Sequence, residues 1–362
     1  MNRRQLLVGG GVVAVGGAGL VGASLLQMGS MNDYDAGVAA TRAALANNPA
    51  MPDLIRFASL AASGHNTQPW RFRAGPQGID ILPDLTRRTP VVDPDDHHLF
   101  VSLGCAAENL SLAAAARGRG GEVSFRDDIV RIALGTESNG IPSELFDAIP
   151  RRQSSRSDYD GRAVGLADLR LLAAAAAVPG VDLVLITERR QIDRITDLVV
   201  EGNSAQMADP AFIGELKQWL RFSPREAFTA GDGLFSASSG SPPLPAWLGP
   251  TLFDQFVSAE GENEKYARQI RSSAGVAVFL SERADKDHWV RTGRACQRFA
   301  LQATALGLKQ AYINQPVEVA RLRPELAALV EMPGRRADIV MRFGYGPALP
   351  FSARRPVSAV MA

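Results

Sequence analysis

The sequence predicts an α+β fold made of two related lobes packed against each other as a pseudo-dimer within one chain. Three observations carry that prediction. At ~100–200 residues per domain, 362 residues allow about two domains. Apolar spacing alternates between the helical and the strand period along the chain. One segment also echoes another. Phe100-Val101-Ser102-Leu103-Gly104-Cys105-Ala106 reads against Trp289-Val290-Arg291-Thr292-Gly293-Arg294-Ala295 at an offset of 189 residues. In the same register Leu112, Ala114, Ala116 and Gly118 meet Leu301, Ala303, Ala305 and Gly307. Both segments are long helical patterns lined with small residues, and both lead into a strand. Small residues let helix backbones approach closely, so each helix is expected at the centre of its lobe. The lobes are expected at 33–149 and 150–362.

Taken in order, the periodicity predicts helices over 34–46, 52–61, 97–117, 188–208, 210–220, 259–271, 287–306 and 317–330. The fifth has a legible start, with Asp209 as N-cap and Pro210 at the first helical position. Strands are predicted over 71–74 and 79–82, joined by a Gly-Pro turn, then 122–125 and 129–134. In the second lobe they fall at 182–187, 276–280, 310–313 and 338–342. The stretch 222–256 reads instead as a long lid-like loop, rich in Gly, Ser and Pro but holding Phe235, Trp247 and Phe253.

Composition narrows the function classes. Apolar residues make up 46% and charged ones 21%, which fits neither a disordered chain nor a polytopic membrane protein. Thirty-nine basic residues against 38 acidic ones give a net charge of +1, so no domain-scale basic footprint holds a nucleic acid. Two cysteines make no disulfide framework, and with four histidines no dedicated metal site is expected. Asp93-Pro94-Asp95-Asp96-His97-His98 has metal-ligand residue types, yet reads more simply as the acidic start of the next helix. Cys105 and Cys296 read as buried spacers, and Trp70 and Tyr345 as packing residues.

The first thirty residues read as a targeting segment. Arg3-Arg4 precedes an apolar run from Leu6 to Leu26 that carries seven glycines, and no charge follows until Asp33. Paired arginines before a glycine-diluted apolar stretch resemble a twin-arginine signal, which implies export of the folded protein to the periplasm or cell envelope. Residues 5–27 are long enough to span a bilayer, so an uncleaved anchor also fits. A rival reading takes Gly17-Ala18-Gly19-Leu20-Val21-Gly22 as the G-x-G-x-x-G of a dinucleotide-binding dehydrogenase. That fingerprint needs a following helix and an acidic residue ~20 positions on. Gln27-Met28-Gly29-Ser30 breaks the pattern.

Two motifs carry chemistry. In Ser63-Gly64-His65-Asn66-Thr67-Gln68-Pro69-Trp70-Arg71-Phe72, small residues leave backbone open to a flat ligand, and the Asn66 amide can both donate and accept. By spacing alone this is equally an ordinary turn between a helix and a strand. In Arg151-Arg152-Gln153-Ser154-Ser155-Arg156, the residues Arg152, Ser154 and Arg156 fall on one side of an extended segment. Two guanidinium forks and a hydroxyl suit a phosphate, although standing alone they also fit a solvated basic linker.

Together the motifs resemble those of the nitroreductase family of FMN enzymes, and their order resembles its two-lobed Acg-type branch. The Ser63–Phe72 segment is similar to the family's P-S-S-x-N-x-Q-P-W signature, with Ala62 and Gly64 in place of the first proline and second serine. Arg152, Ser154 and Arg156 match its R-x-S-x-[RK] motif, and Arg354-Arg355-Pro356 resembles a terminal phosphate contact. The resemblance implies a nitroreductase-like fold binding FMN through Ser63, Gly64, His65, Asn66, Arg152, Gln153, Ser154, Arg156, Arg354 and Arg355. It further implies a backbone N–H facing flavin N5 from Asn314 or Gln315, because Pro316 has none. His65 occupies a variable position in the signature, and no side-chain acid or base is required.

The asparagine signature occurs once, in the first lobe, and the arginine motif once, in the second. One FMN site per chain is therefore expected, its mirror image having decayed. The implied function is two-electron reduction of a flat small-molecule acceptor such as a nitroaromatic or a quinone, with NAD(P)H or another donor. The alternative is a protein that binds and sequesters flavin without turnover. The remaining expected partner is the twin-arginine export machinery, with the chain itself a monomer.

Overall fold

The computed structural model of the protein describes residues 27–136, 139–141 and 143–362. The expected export signal and the rival Gly17–Gly22 fingerprint lie outside the described residues.

Two four-stranded antiparallel sheets form, one in each half of the chain. The first comprises β1 (Trp70–Gly75), β2 (Gly78–Pro83), β3 (Val123–Arg126) and β4 (Ile129–Ala133), in the order β1-β2-β4-β3. In the second half come β5 (Val181–Ile186), the short parallel pair β6 (Leu220–Arg221) and β7 (Leu234–Phe235), then β8 (Gly275–Ser281), β9 (Lys309–Tyr312) and β10 (Ala337–Gly344). Its main sheet runs β5-β8-β10-β9. All eight strands expected from the sequence are present, and every residue of β8 and β10 is buried. β8 is accordingly apolar up to Ser281, whereas β10 carries two buried charged residues, Asp338 and Arg342.

Between the sheets cross two helices, His97–Ala116 and Lys286–Ala305, whose ends are related by the same 189-residue offset as the echo in the sequence. They meet at glycine. A Cβ on Gly104 would collide with the Val290 carbonyl oxygen, and a Cβ on Gly293 with that of Val101. Around this crossing Cys105 and Cys296 stand 3.6 Å apart, and Gln297 Nε2 donates to Asn109 Oδ1 at 2.8 Å. Glu108, 1% exposed, accepts from Arg294 at 2.8 Å and Arg298 at 2.7 Å on the opposing helix. One apolar core runs continuously through both halves. Among the described residues, His97–Ala116 is the one helix long and apolar enough to cross a membrane, and its apolarity is spent inside this core.

The chain end ties the halves together again. After β10 it returns to the first half, where the Ala362 N–H donates to the Phe72 carbonyl at 2.8 Å. On the way, the Leu349 N–H and carbonyl are both held by the Gln153 side chain, at 2.9 and 2.8 Å.

Three expectations about elements need correction. The helix expected at 317–330 is broken into Gln315–Glu318, a 3₁₀ turn at Ala320–Leu322, and Arg323–Leu329. Val319 is extended between them, and Pro324 cannot donate to a continuous helix. Short helices at Glu144–Ala148 and Leu166–Ala175 went unread in the sequence. The stretch 222–256 is not a bare loop. It holds the helices Pro224–Ala230 and Gly249–Phe256. The first of these is started by a Ser223/Glu226 capping box with Pro224 at the first position.

Two predictions follow from the interface between halves. Gly104→Ala gains up to ~1 kcal/mol of helix propensity but forces backbone against backbone, where overpacking costs ~1–3 kcal/mol. The clash should win, lowering the urea midpoint; an unchanged midpoint would show that the crossing is slack. His97 also spans the interface, its Nε2 lying 2.8 Å from Asp338 Oδ1, with His98 and Arg336 close by. Burial holds the His97 imidazole down at about 4, against 6.5 unfolded. The unfolded chain therefore binds the extra proton between these values, and stability falls as pH drops from 6.5 to 4. His97→Gln should lose less melting temperature across that window than the parent protein does.

Candidate functional site

The turn between the helix Met51–Ser59 and β1 is wound in an uncommon way. His65 (φ 46°), Asn66 (φ 54°) and Gln68 (φ 52°) all adopt left-handed backbone, which non-glycine residues rarely do. Hydrogen bonds hold it: the Gln68 N–H donates to Ser63 Oγ at 3.1 Å, and Gln68 Nε2 to the Gly231 carbonyl at 2.8 Å. The winding turns Ser63, Gly64 and His65 toward a cavity of about 490 Å³. Burial, with Arg156 and His98 nearby, keeps the His65 imidazole down at about 4, so it is neutral at pH 7.

Asn66 departs from expectation. Its amide is used within the protein, donating to the carbonyls of Gly233 (3.0 Å) and Ala353 (3.2 Å) and accepting from Arg354 at 2.9 Å. It borders the site, but its polar atoms fasten the 222–256 segment and the chain end instead of facing the large cavity.

A small cleft of about 50 Å³ adjoins the large cavity, the two sharing Ala62, Ser63, Arg156, Leu234 and Tyr312 in their walls. Arg152, Gln153, Ser154, Arg156 and Arg354 all border this cleft. So does Arg42, which no sequence motif marked. Among the described residues, no carboxylate pairs with Arg42, Arg152, Arg156 or Arg354. Arg354 instead donates to the carbonyls of Ser59, Leu60 and Ala61, at the end of the Met51–Ser59 helix, where the dipole favours a cation. Arg42 donates to the Pro150 carbonyl at 2.8 Å and lies over the Phe351 ring. Arg152 donates to the Leu60 carbonyl at 3.1 Å, while its Nε and Nη1 are buried without a partner.

Packing cations this way weakens their hold on protons. Burial and then Arg152 pull Arg354 down to about 9, and burial with Arg354 and Arg152 pulls Arg42 well below its ordinary value. Burial lowers Arg152 and Arg156 too. Buried, mutually repelling guanidiniums are costly unless an anion joins them. The cleft's uncompensated positive charge is chemically suited to an anion such as a phosphate.

Arg355 does not join the cluster. Its backbone N–H donates to Gln68 Oε1 at 2.9 Å and its guanidinium lies 3.8 Å from Asp84. In an extended segment neighbouring side chains face opposite ways, so only one of this pair can reach the cleft.

Asn314 and Gln315 line the large cavity. They stand at the start of a helical turn, where backbone N–H groups have no intrahelical acceptor. Gln315 Oε1 and the neighbouring Tyr312 hydroxyl are buried without meeting hydrogen-bond geometry, so this wall has polar capacity to spare. Glu318 also faces the cavity, with burial raising its carboxyl, and accepts from Gln206 at 2.6 Å.

The 222–256 segment contributes Phe222, Leu234, Leu244, Leu252 and Phe253 to the wall of the cavity. Asp232 is its latch, taking Arg221 Nη2 at 2.7 Å and also pairing with Arg87. By contrast, the Asp93–His98 group acts as a helix start. Asp93 accepts from the His98 and Leu99 N–H groups at 3.0 and 2.9 Å.

Arg42, Tyr312 and Glu318 are among the lining residues that sequence reasoning missed. Each sits at the edge of an ordinary element with no motif around it, and only the fold brings them in.

No family model matches the chain. It is 30% identical over 325 residues to a Mycobacterium tuberculosis H37Rv protein named Putative NAD(P)H nitroreductase Rv3131, covering 85% of this chain and 90% of the relative. A second protein of that strain, named Putative NAD(P)H nitroreductase acg, is 22% identical over 327 residues, covering 84% and 93%. Among solved structures, a nitroreductase with bound FMN from Desulfitobacterium hafniense overlaps 59% of this chain and 94% of its own, at 14% identity and a TM-score of 0.37. That overlap is too partial to bear on chemistry. The 30% identity to the first relative over 325 residues decides the matter: the chain belongs to the nitroreductase family.

Proposed function

We propose that the protein is an exported, FMN-dependent oxidoreductase that carries out two-electron reduction of a flat acceptor such as a nitroaromatic or a quinone. The observation that carries this reading is the junction of a carboxylate-free arginine cleft with a larger cavity that has unpartnered polar atoms in its wall. A flat cofactor with a phosphate tail fits both halves of that junction. Bound FMN would supply the two-electron chemistry, with NAD(P)H, the donor in the relatives' names, as the reductant.

The chain's own residues do the rest. Arg152, Arg42 and Arg354 hold the phosphate by charge-assisted hydrogen bonds, with Ser154 and Gln153 beside them. Arg156 stands where both compartments meet and presents positive charge to the ring edge. Ser63, Gly64 and His65 offer a shallow wall for the ring, and the Asn314 or Gln315 N–H would hold N5. The 222–256 segment excludes water. Asn66 acts at one remove by fixing Arg354 and that segment. The two halves together make one site per chain, as a pseudo-dimer whose mirror site has been lost.

Each charge-assisted bond is worth ~1.5–3 kcal/mol, and 1.4 kcal/mol is tenfold in affinity. Arg152→Ala or Arg42→Ala should therefore weaken FMN binding ~10- to 150-fold by equilibrium titration. Full FMN occupancy in the double variant would overturn the phosphate assignment. Extraction should give one FMN per chain, and anaerobic NADPH should bleach it. Bleaching by dithionite but not by NADPH would favour flavin sequestration. For export, Arg3→Lys with Arg4→Lys should hold the folded, flavin-bearing protein in the cytoplasm; unchanged export would remove the twin-arginine assignment.

A further inference from the structure

The large cavity is more than a flavin-sized slot. Its outer part is walled by Phe212 and Leu216 from the helix Pro210–Trp219, by Leu252, Phe253 and Phe256 from the helix Gly249–Phe256, and by Phe222. None of these six belongs to any apolar core cluster of the described residues or packs against one. They stand apart from the apolar cores of the fold. Phe212 and Leu216, like Leu252 and Phe256, are four residues apart, so each helix presents one stripe to the cavity. The two helices touch through one lysine. Lys217 pairs with Asp254 and lies 5.8 Å from the Phe253 ring centroid, while the Phe222 ring fills the space where a Cβ on Gly249 would stand.

The result is a trough with two unlike ends. At the inner end stand Tyr312, Asn314, Gln315, Gln206 and Glu318, all polar. At the outer end Phe256 is 71% exposed, so the trough opens to solvent. An open apolar end admits ligands of different lengths, and a polar inner end demands a hydrogen-bonding head.

We propose that the preferred acceptor is an amphiphile: a flat quinone head seated at the polar end, with an alkyl or polyprenyl tail lying along the Phe212–Leu216 and Leu252–Phe256 stripes. This rests on the oxidoreductase reading above. The reaction is balanced by a nicotinamide donor. Quinone, NAD(P)H and one proton give quinol and NAD(P)⁺, the two electrons arriving as hydride and both carbonyl oxygens ending as hydroxyls. The tail takes no part in chemistry. It adds binding that is equal in the ground state and the transition state, and so lowers KM while leaving kcat unchanged.

The test uses the FMN-loaded protein, NADPH and a series of 2-n-alkyl-1,4-benzoquinones from methyl to decyl. Burying a methylene is worth ~0.8 kcal/mol at most, so KM should fall ~2- to 4-fold per added carbon and then level off once the tail reaches Phe256. Leu216→Asn and Leu252→Asn should flatten that slope. A KM independent of tail length, or one that rises with it, would overturn the proposal. Binding of decyl-hydroquinone, followed through the fluorescence of Trp219 and Trp247, needs no turnover. Micromolar binding that weakens in the two variants supports the trough even in protein without flavin. Absence of binding sinks it. Failure of the oxidoreductase reading would show separately, as turnover of no quinone at all.

Discussion

Everything in this fold depends on two helices crossing backbone to backbone at Gly104 and Gly293. The approach is so close that the Val290 and Val101 carbonyl oxygens occupy the space of the missing side chains. Polar groups that would be stranded there satisfy one another across the crossing, as Asn109 does with Gln297 and Glu108 with Arg294 and Arg298. Because the interior is dense, a shift at this crossing would be felt on both sides. The site lies beside it. Cys105, on one of the two helices, lines the large cavity, and walls from both halves face each other there.

The arginine cluster is the counterpart of that rigidity. Four guanidiniums without a carboxylate among the described residues are destabilising in isolation, as their lowered proton affinities show. Neutral carbonyls at the end of the Met51–Ser59 helix supply partial negative charge, and this keeps Arg354 and Arg152 in place. Partial charges orient a cation without cancelling it. The charge is therefore not neutralised within the protein, and the Nε and Nη1 of Arg152 stay without a partner.

The left-handed run at His65, Asn66 and Gln68 connects these features. Its strained backbone is held because Asn66 and Gln68 grip Gly233, Gly231 and the chain end near Arg354 and Arg355. One turn therefore shapes the cavity wall, fixes an arginine of the cleft and anchors the 222–256 segment. The same side-chain amides do all three, so Asn66 matters to the site without touching the large cavity.

The sequence by itself determined the eight strands, the two central helices and their common offset, because those rest on apolar period and on small residues, both local properties. It also singled out the Ser63–Phe72 turn and the Arg152–Arg156 segment, though only through their joint resemblance to one family's motifs, since either alone fits an ordinary turn or linker. It overreached at Arg355, which faces Asp84, and at Asn66, whose amide is spent on protein partners. It missed Arg42, Tyr312 and Glu318, and it read 222–256 as loop where capped helices form. The helix Pro224–Ala230 carried a local capping signal, Ser223 with Glu226, that went unread; the other placements were decided by tertiary structure alone. Which way a side chain faces in an extended segment, and which distant carbonyls and cations surround it, depends on how the halves close around Gly104 and Gly293. No local window of residues contains that information.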